Sequence, residues 1–251
     1  MFEKHPLFAQ PEDPSARIWR YMDFTKFVSL IDSKCLFFTR ADKFDDPFEG
    51  SLPVPNVTSR AAVLETIPEP TRSMVKESMT RDWEFNKNWP RYNAINCWHM
   101  NDHESAAMWK LYLKSNEGIS IQSRYNKLCE SIIYDEPFYV GMVRYIDYEK
   151  DSIPANNVLA PFLYKRKSFE HEREVRVLIA KWPLTERGID WKSETMNVGL
   201  TVRVDLSCLI ERIYVAPGAP KWFADLTAAV ISKYEHKFEV VHSKMDEKAM
   251  F

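Results

Sequence analysis

The sequence predicts a single α+β domain, residues 1–251, in which mixed, largely antiparallel twisted sheets are flanked by helices. Short apolar and alternating runs of strand length recur along the whole chain, and apolar residues between some of them repeat at helical spacing. No internal repeat, low-complexity tract or long linker divides the 251 residues, of which 45% are hydrophobic. A chain of this length and composition can bury one substantial core.

The first part of the chain predicts a strand, a helix and a second strand. Residues 17–22 resemble a short strand, and Asp23 can cap the helix that follows. The apolar positions of that helix are Phe24, Phe27, Val28 and Ile31. Residues 35–39 are a compact apolar run typical of a buried strand. Residues 45–50 predict a turn, because Asp and Pro favour turn geometry and Gly supplies a positive φ.

Residues 51–90 are the least regular part of the sequence. They are interrupted by Pro53, Pro55, Pro68 and Pro70, and one helix is expected over residues 71–85. Their apolar content is too low for a separate core, so they predict an excursion or lid on the domain.

The middle of the chain predicts three strands and two helices. Strands are expected over residues 94–99, 118–121 and 140–146. Asn101 with Glu104 resembles a capping box that opens a helix through residue 113. Pro161 suits the first turn of a helix that extends to Phe169.

The last part predicts strands over residues 172–180, 200–204, 210–215 and 238–241. A turn at Pro217-Gly218 and a helix over residues 220–234 separate the last two strands. This tail has the spacing of a βαβ unit.

Composition excludes several classes of protein. A formal net charge of −2 argues against a surface that binds nucleic acid throughout. The first residues lack the apolar region of a signal peptide, and no apolar run is long enough to span a membrane, so we expect a cytoplasmic protein without a membrane partner. The four cysteines are far apart in sequence and predict free thiols rather than a zinc site.

The most informative pattern is the acidic strand over residues 172–180. Side chains alternate between the two faces of a strand, so Glu172, Glu174 and Arg176 are expected opposite the apolar residues. They could form a structural ion-pair ladder, which charge alone favours. They could also form an acidic site with a perturbed pKa.

Other polar residues allow the same pair of interpretations. Residues 165–167, Lys-Arg-Lys, are either a solvated helix end or a phosphate-binding patch. His99 and His103 would bind one metal only on a continuous helix, which the capping signal argues against. His171 is either an acid/base residue or a structural histidine.

Motifs of several enzyme classes are missing from the sequence. The Walker loop, GxGxxG, GxSxG and HExxH do not occur. With only six glycines, the chain does not predict a glycine-rich phosphate loop.

Three ordered blocks resemble a bacterial family classified only as domain of unknown function 2971. The first block runs from Trp19-Arg20-Tyr21 to the segment at residues 46–50. The second block comprises Cys97-Trp98, Glu104-Ser105, Met108-Trp109, Tyr112 and Gly118-Ile119. The third block comprises Lys165, Phe169, Glu172, Glu174 and Arg176. The resemblance covers most of the chain except residues 51–90 and implies no known activity.

Glu172-x-Glu174 also resembles, more faintly, the acidic motif of ADP-ribosyltransferases. That resemblance implies NAD as substrate, Glu174 as the catalytic carboxylate with Glu172 beside it, and Arg20 on the first strand as an anchor for NAD. It further implies cofactor-binding roles for Tyr21, Thr39, Trp98, Trp109 and Arg176. The Ser-Thr-Ser segment of such enzymes is missing, and Thr39 is its nearest substitute.

The leading hypothesis is therefore a nucleotide-handling enzyme of bacterial defence or toxin type, most like an NAD-dependent mono-ADP-ribosyltransferase. Its partners would be a small nucleotide ligand and a nucleic-acid or protein target, and no metal is expected. The first alternative is a non-catalytic binding module with a polar, aromatic pocket formed by Asp46, Glu49, Trp109 and Glu174. The second is a metal-dependent nuclease that uses Asp46, Glu49, Glu172 and Glu174.

Overall fold

A computed structural model describes residues 1–113, 116–186, 188–245 and 247. In chain order its strands are β1 (Arg17–Asp23), β2 (Cys35–Arg40), β3 (Asn93–Met100), β4 (Gly118–Arg124), β5 (Ile132–Ile133), β6 (Tyr139–Met142), β7 (Arg144–Ile146), β8 (Tyr164–Arg166), β9 (Glu174–Ala180), β10 (Leu184–Thr185), β11 (Gly188–Ile189), β12 (Gly199–Val204), β13 (Arg212–Val215) and β14 (Glu239–His242).

The helices connect these strands and flank the sheet. They are α1 (Phe24–Ser33), α2 (Val54–Thr66), α3 (Thr71–Asn88), α4 (Ala106–Tyr112), α5 (Tyr125–Ser131), α6 (Leu206–Leu209) and α7 (Lys221–Lys233). Short 3-10 helices cover Ala41–Lys43, Trp89–Tyr92, Ala160–Phe162 and Lys167–Glu172. Among the described residues, no helix combines the length and the apolar character needed to cross a membrane.

The main sheet confirms the predicted α+β class. Its described part has ten strands, in the order β14-β13-β4-β1-β3-β2-β12-β5, with β9 paired to β3 and β6 paired to β9. The pairs are antiparallel except for β13 and β14, which are parallel and joined by α7. The βαβ tail is therefore confirmed.

The two faces of the sheet differ in character. Ile18, Trp98, Val175 and Val177 point into the main hydrophobic core. The opposite face carries Cys97, His99 and Glu174 beside a smaller apolar cluster that includes Ile95 and Leu178. The polar side chains of β3 and β9 therefore lie together on one face, at the edge of the smaller cluster.

A split in the sheet separates β1 from β2. Strand β9 pairs along β3 from Asn93 to His99, so β1 and β2 must share the other edge of β3. Strand β1 pairs with its last residues and β2 with its first, through Ile18↔Met100, Trp19↔His99, Thr39↔Ile95 and Arg40↔Ala94. Residues 96–98 thus face a gap between the ends of two diverging strands, which α1 connects.

The segment after β7 differs from its prediction. The helix expected over residues 161–169 is wrong, because Lys165 pairs with Tyr145 in the parallel β7–β8 ladder. The 3-10 helix that follows ends at Glu172, where Arg173 adopts a left-handed conformation with φ 41. Strand β9 therefore begins at Glu174, and placing Glu172 on that strand was wrong.

Other boundaries are also corrected. The expected strand over residues 140–146 is two strands that turn at Val143, whose backbone N–H donates to Glu174 O at 2.9 Å. The expected capping box is wrong, since the N-cap of α4 is Ser105, which accepts from the backbone N–H of Met108. Glu104 instead accepts from the indole N–H of Trp109 at 3.0 Å.

The predicted lid contains two helices rather than one. Helix α2 is anchored by Asn56, which exchanges two hydrogen bonds with the backbone of Ile153, at 2.8 and 2.9 Å. None of the α3 residues is buried. The sequence pattern predicted α3 correctly. It did not predict α2, because the prolines at the start of α2 were interpreted as interruptions, whereas Pro is tolerated in the first turn of a helix.

The turn that ends at Gly50 gives a stability prediction. Gly50 has φ +71, and a Cβ there would lie 2.5 Å from Phe162 Cε1, so we expect Gly50→Ala to cost both backbone strain and overpacking, about 2–4 kcal/mol. Gly218 also has φ +71, but a Cβ there meets no described atom within 4 Å. Gly218→Ala should therefore cost only about 1–2 kcal/mol. Urea unfolding of both variants checks this, and equal losses would contradict it.

Candidate functional site

A cleft of about 920 Å³ opens at the split in the sheet. It lies where β1, β2 and β3 diverge, and residues of α1, α4 and the segment at residues 44–46 complete its wall. Of the residues predicted for an ADP-ribosyltransferase site, those that line it are Arg20, Tyr21, Thr39, Trp98, Glu172 and Glu174, and Asp46 of the two alternative sites lines it as well. Arg20 and Glu174 thus face one cavity, although β1 and β9 are not adjacent strands.

Arg20 occupies the split itself. Its guanidinium donates to the backbone carbonyl of Cys97 at 2.9 Å, which gives that carbonyl a partner where the ladder is interrupted. The guanidinium also lies 5.8 Å from the ring centroid of Trp98. Within the described part of the chain no carboxylate forms an ion pair with Arg20. Burial lowers the pKa of Arg20, as expected for a cation in a cleft without a counter-charge.

Arg176 has the opposite environment. It is fully buried, and all five of its N–H groups are used within the protein. Four donate to the carboxylates of Glu49 and Glu174, at 2.6, 2.8, 2.9 and 3.1 Å, and one donates to the carbonyl of Phe162 at 2.6 Å. It does not line the cleft. Arg176, which was predicted to bind a cofactor, therefore has its N–H groups bonded to the protein and lies outside the cleft lining.

Glu174 lies between Arg176 and the cleft. Burial alone would raise the pKa of Glu174, but the charges of Arg176 and Lys165 outweigh burial and lower it to about 2. The ammonium of Lys165 lies 3.4 Å from Glu174 and also contacts Glu172, which reaches the site from its 3-10 helix. Both carboxylates are thus ion-paired, as the structural interpretation of the acidic pattern expects.

The turn at residues 45–50 is tied to the same network. Glu49 binds Arg176 through both of its oxygens. The pKa of Glu49 is raised, mainly by burial. The charge of Arg176 only partly offsets the effect of burial, and the like charge of Glu174 raises the pKa further. Asp46 accepts from Arg166 at 2.7 Å. The turn therefore forms one wall of the cleft while its acids hold it to β8 and β9.

Two of the predicted aromatic residues, Tyr21 and Trp109, contact each other. Tyr21 lines the cleft, and its hydroxyl accepts from the backbone N–H of Ser105 at 2.9 Å. Trp109 is 2% exposed and packs edge-on behind Tyr21, with ring centroids 4.9 Å apart. It supports Tyr21 rather than facing the cleft. Thr39 lines the cleft from β2.

Two further residues of β3 line the cleft and were not predicted as site residues. Cys97 is half-buried, and burial together with the charge of Glu174 raises the pKa of its thiol. His99 is 5% exposed. Both alternate with Trp98 and share the face of Glu174, so strand periodicity could have indicated them once β3 and β9 were paired.

The four acids of the nuclease hypothesis form ion pairs with basic side chains rather than a cluster with one another. Asp46 pairs with Arg166, Glu49 with Arg176, and Glu172 with Lys165. No group of three or more His, Cys, Asp or Glu that could hold a metal ion occurs in the described ranges. His99 lies in a strand and His103 lines a separate, smaller pocket, so the two histidines are not brought together on a helix.

Comparison of the chain with family models, curated proteins and solved structures gave no match. The resemblances to the bacterial family and to ADP-ribosyltransferases therefore stay predictions from the residues.

The buried ion pairs of Arg176 lead to a prediction about the free energy of unfolding. We expect Arg176→Met to lower the free energy of unfolding by about 3–5 kcal/mol, because it leaves Glu49 buried without a counter-charge and leaves Glu174 with Lys165 alone. Arg212→Met is the matched control: it breaks one solvent-exposed ion pair with Glu239, so its loss of stability should be far smaller than that of Arg176→Met.

Urea unfolding at neutral pH measures both variants. The triple variant that combines Arg176→Met with Glu49→Gln and Glu174→Gln should recover part of the lost free energy of unfolding, because it removes the two carboxylate charges that Arg176 binds. An Arg176→Met loss no greater than that of Arg212→Met would contradict the arrangement.

Proposed function

We propose that the cleft binds a small nucleotide, with a phosphate group on Arg20 and the base against aromatic side chains. The observation that carries this proposal is the guanidinium of Arg20, a half-buried cation in the cleft wall without an ion-pair partner among the described residues. Arginine binds phosphate through paired, charge-assisted hydrogen bonds. A phosphate at this position would supply the missing counter-charge.

The size and lining of the cleft agree with such a ligand. Its volume of about 920 Å³ falls within the range of roughly 300–1,000 Å³ typical of small-molecule sites. Phe37 and Tyr112 line it and remain 45% and 49% exposed. Large exposed aromatic side chains at the mouth of a cleft are suited to stacking on a planar ring.

The charges favour a small nucleotide over a long nucleic acid. Asp45, Asp46, Glu172 and Glu174 all line the cleft, against Arg20, Lys26 and Lys165. A chain of phosphates would meet these carboxylates, whereas a mononucleotide or dinucleotide can place its phosphates near Arg20 alone. Binding of this kind requires no reaction.

ADP-ribosyl transfer from NAD is a second candidate, and one observation favours it. The carboxylate of Glu174 stays ionised at physiological pH and lines the same cleft as Arg20. In this reaction the bond between nicotinamide and ribose breaks, nicotinamide leaves with the bonding electrons, and a nucleophile of a protein or nucleic-acid target attacks the ribose carbon. A carboxylate near that carbon would stabilise its developing positive charge.

Nucleotide binding tests the proposal directly. We expect titration calorimetry with AMP, ADP and NAD to detect binding, and Arg20→Met to weaken it at least about tenfold, because a charged hydrogen-bond partner of the phosphate is lost. Lys26→Met is the control, since Lys26 lines the cleft but its exposed side chain pairs with Asp23. It should change affinity less than about threefold.

Thermal unfolding must show that Arg20→Met is folded, because it also removes the bond to Cys97. Unchanged nucleotide affinity in folded Arg20→Met would contradict the proposal.

The second candidate has its own measurement. If the protein transfers ADP-ribose, incubation with nicotinamide-labelled NAD should release nicotinamide, and Glu172→Gln and Glu174→Gln should slow the release. Glu239→Gln, which alters only an exposed ion pair, should not. Absence of nicotinamide release from the wild-type protein with a range of targets would remove this candidate and leave nucleotide binding standing.

A further inference from the structure

His99 contains a buried nitrogen without a partner. The side chain lies on β3, is 5% exposed and lines the cleft. Its Nε2 atom is covered and has no hydrogen-bond partner among the described residues. An unpartnered buried polar atom costs about 1–3 kcal/mol, so such atoms are rare unless a ligand or water completes them.

The other ring nitrogen determines what Nε2 can do. Nδ1 lies 2.6 Å from the backbone carbonyl oxygen of Glu172. A carbonyl oxygen only accepts, so Nδ1 must carry the hydrogen. Burial lowers the pKa of His99 and outweighs the hydrogen bond to Glu172, which raises it, while the charges of Arg173 and His171 lower it further. The ring is therefore neutral, and Nε2 presents a lone pair.

We propose that Nε2 of His99 accepts a hydrogen bond from a hydroxyl or N–H group of the ligand in the cleft. The inference rests on the proposed nucleotide function and adds a requirement to it: besides the phosphate held by Arg20, the ligand carries a neutral donor. Sugar hydroxyls and the exocyclic amine of a base are the donors a nucleotide offers. Because Nε2 is buried, neighbouring side chains must shift when the donor binds.

The backbone supports this role for His99. Its partner Glu172 immediately precedes Arg173, the left-handed residue just before β9, and the Arg173 guanidinium donates to the side-chain oxygen of Asn101 at 3.0 Å. The carbonyl that fixes the imidazole is thus held at a defined turn beside β3. A ring fixed at Nδ1 can discriminate between ligands through Nε2 without moving itself.

A double-mutant cycle between protein and ligand tests the inference. Affinities of AMP, 2′-deoxy-AMP, 3′-deoxy-AMP and IMP are measured for wild type, His99→Phe and His99→Gln. We expect one of the three analogues to bind wild type about 3–12-fold more weakly than AMP, the cost of a neutral hydrogen bond. The same analogue and AMP should bind His99→Phe within about twofold of each other, while His99→Gln, which can still accept, keeps part of the difference.

A measurement on the wild-type protein covers the case in which His99→Phe does not fold. The ¹⁵N resonances of His99 should show a protonated Nδ1 and an unprotonated Nε2, and AMP should shift the Nε2 resonance. If AMP binds but no analogue couples to His99 and the Nε2 resonance does not move, the inference is overturned while nucleotide binding stands. If no nucleotide binds wild type, both are overturned.

Discussion

The guanidinium of Arg176 is the interaction on which the rest of the site depends. Arg176 is fully buried. Its five N–H groups bind Glu174 on β9, Glu49 in the turn at residues 45–50, and the backbone carbonyl of Phe162 in the 3-10 helix Ala160–Phe162. A buried cation is tolerated only when it is paired and fully hydrogen-bonded. These segments must therefore close around Arg176, and in doing so they form the acidic wall of the cleft.

Arg176 and Arg20 show how the same residue type can hold a fold together or leave a binding position open. Arg176 binds two carboxylates and a carbonyl of the protein, so none of its N–H groups is left for a ligand. Arg20 has one hydrogen bond to a backbone carbonyl in the split of the sheet, and the rest of its guanidinium lies beside the cleft. The two arginines differ because of the split in the sheet. The split places Arg20 of β1 between strands, where no acidic residue of the described structure pairs with it.

Much of the fold could be predicted from the sequence, because it depends on local patterns. Apolar runs in the sequence indicated β1, β2, β3 and β9. The glycine predicted to supply a positive φ in the turn at residues 45–50, Gly50, does so. The βαβ tail was predicted from the spacing of its elements alone. The placement of Arg20 on the first strand was likewise a local inference.

The remaining features depend on contacts between distant residues. Strand alternation put Glu172 on β9, but the left-handed Arg173 takes it off the strand. Glu49 and Arg176 are 127 positions apart, so their pairing leaves no local signal. Trp109 matched the pattern of a stacking residue, yet whether an aromatic ring of α4 faces the cleft or the back of Tyr21 is decided by how α4 packs on β1.

The most direct test of the central claim is an experimental structure of the protein with AMP bound. The account predicts density for AMP in the cleft at the split between β1 and β2, with a phosphate oxygen within hydrogen-bonding distance of the Arg20 guanidinium and Arg176 still bound to Glu49 and Glu174. AMP bound elsewhere, with Arg20 contacting only the carbonyl of Cys97, would contradict it.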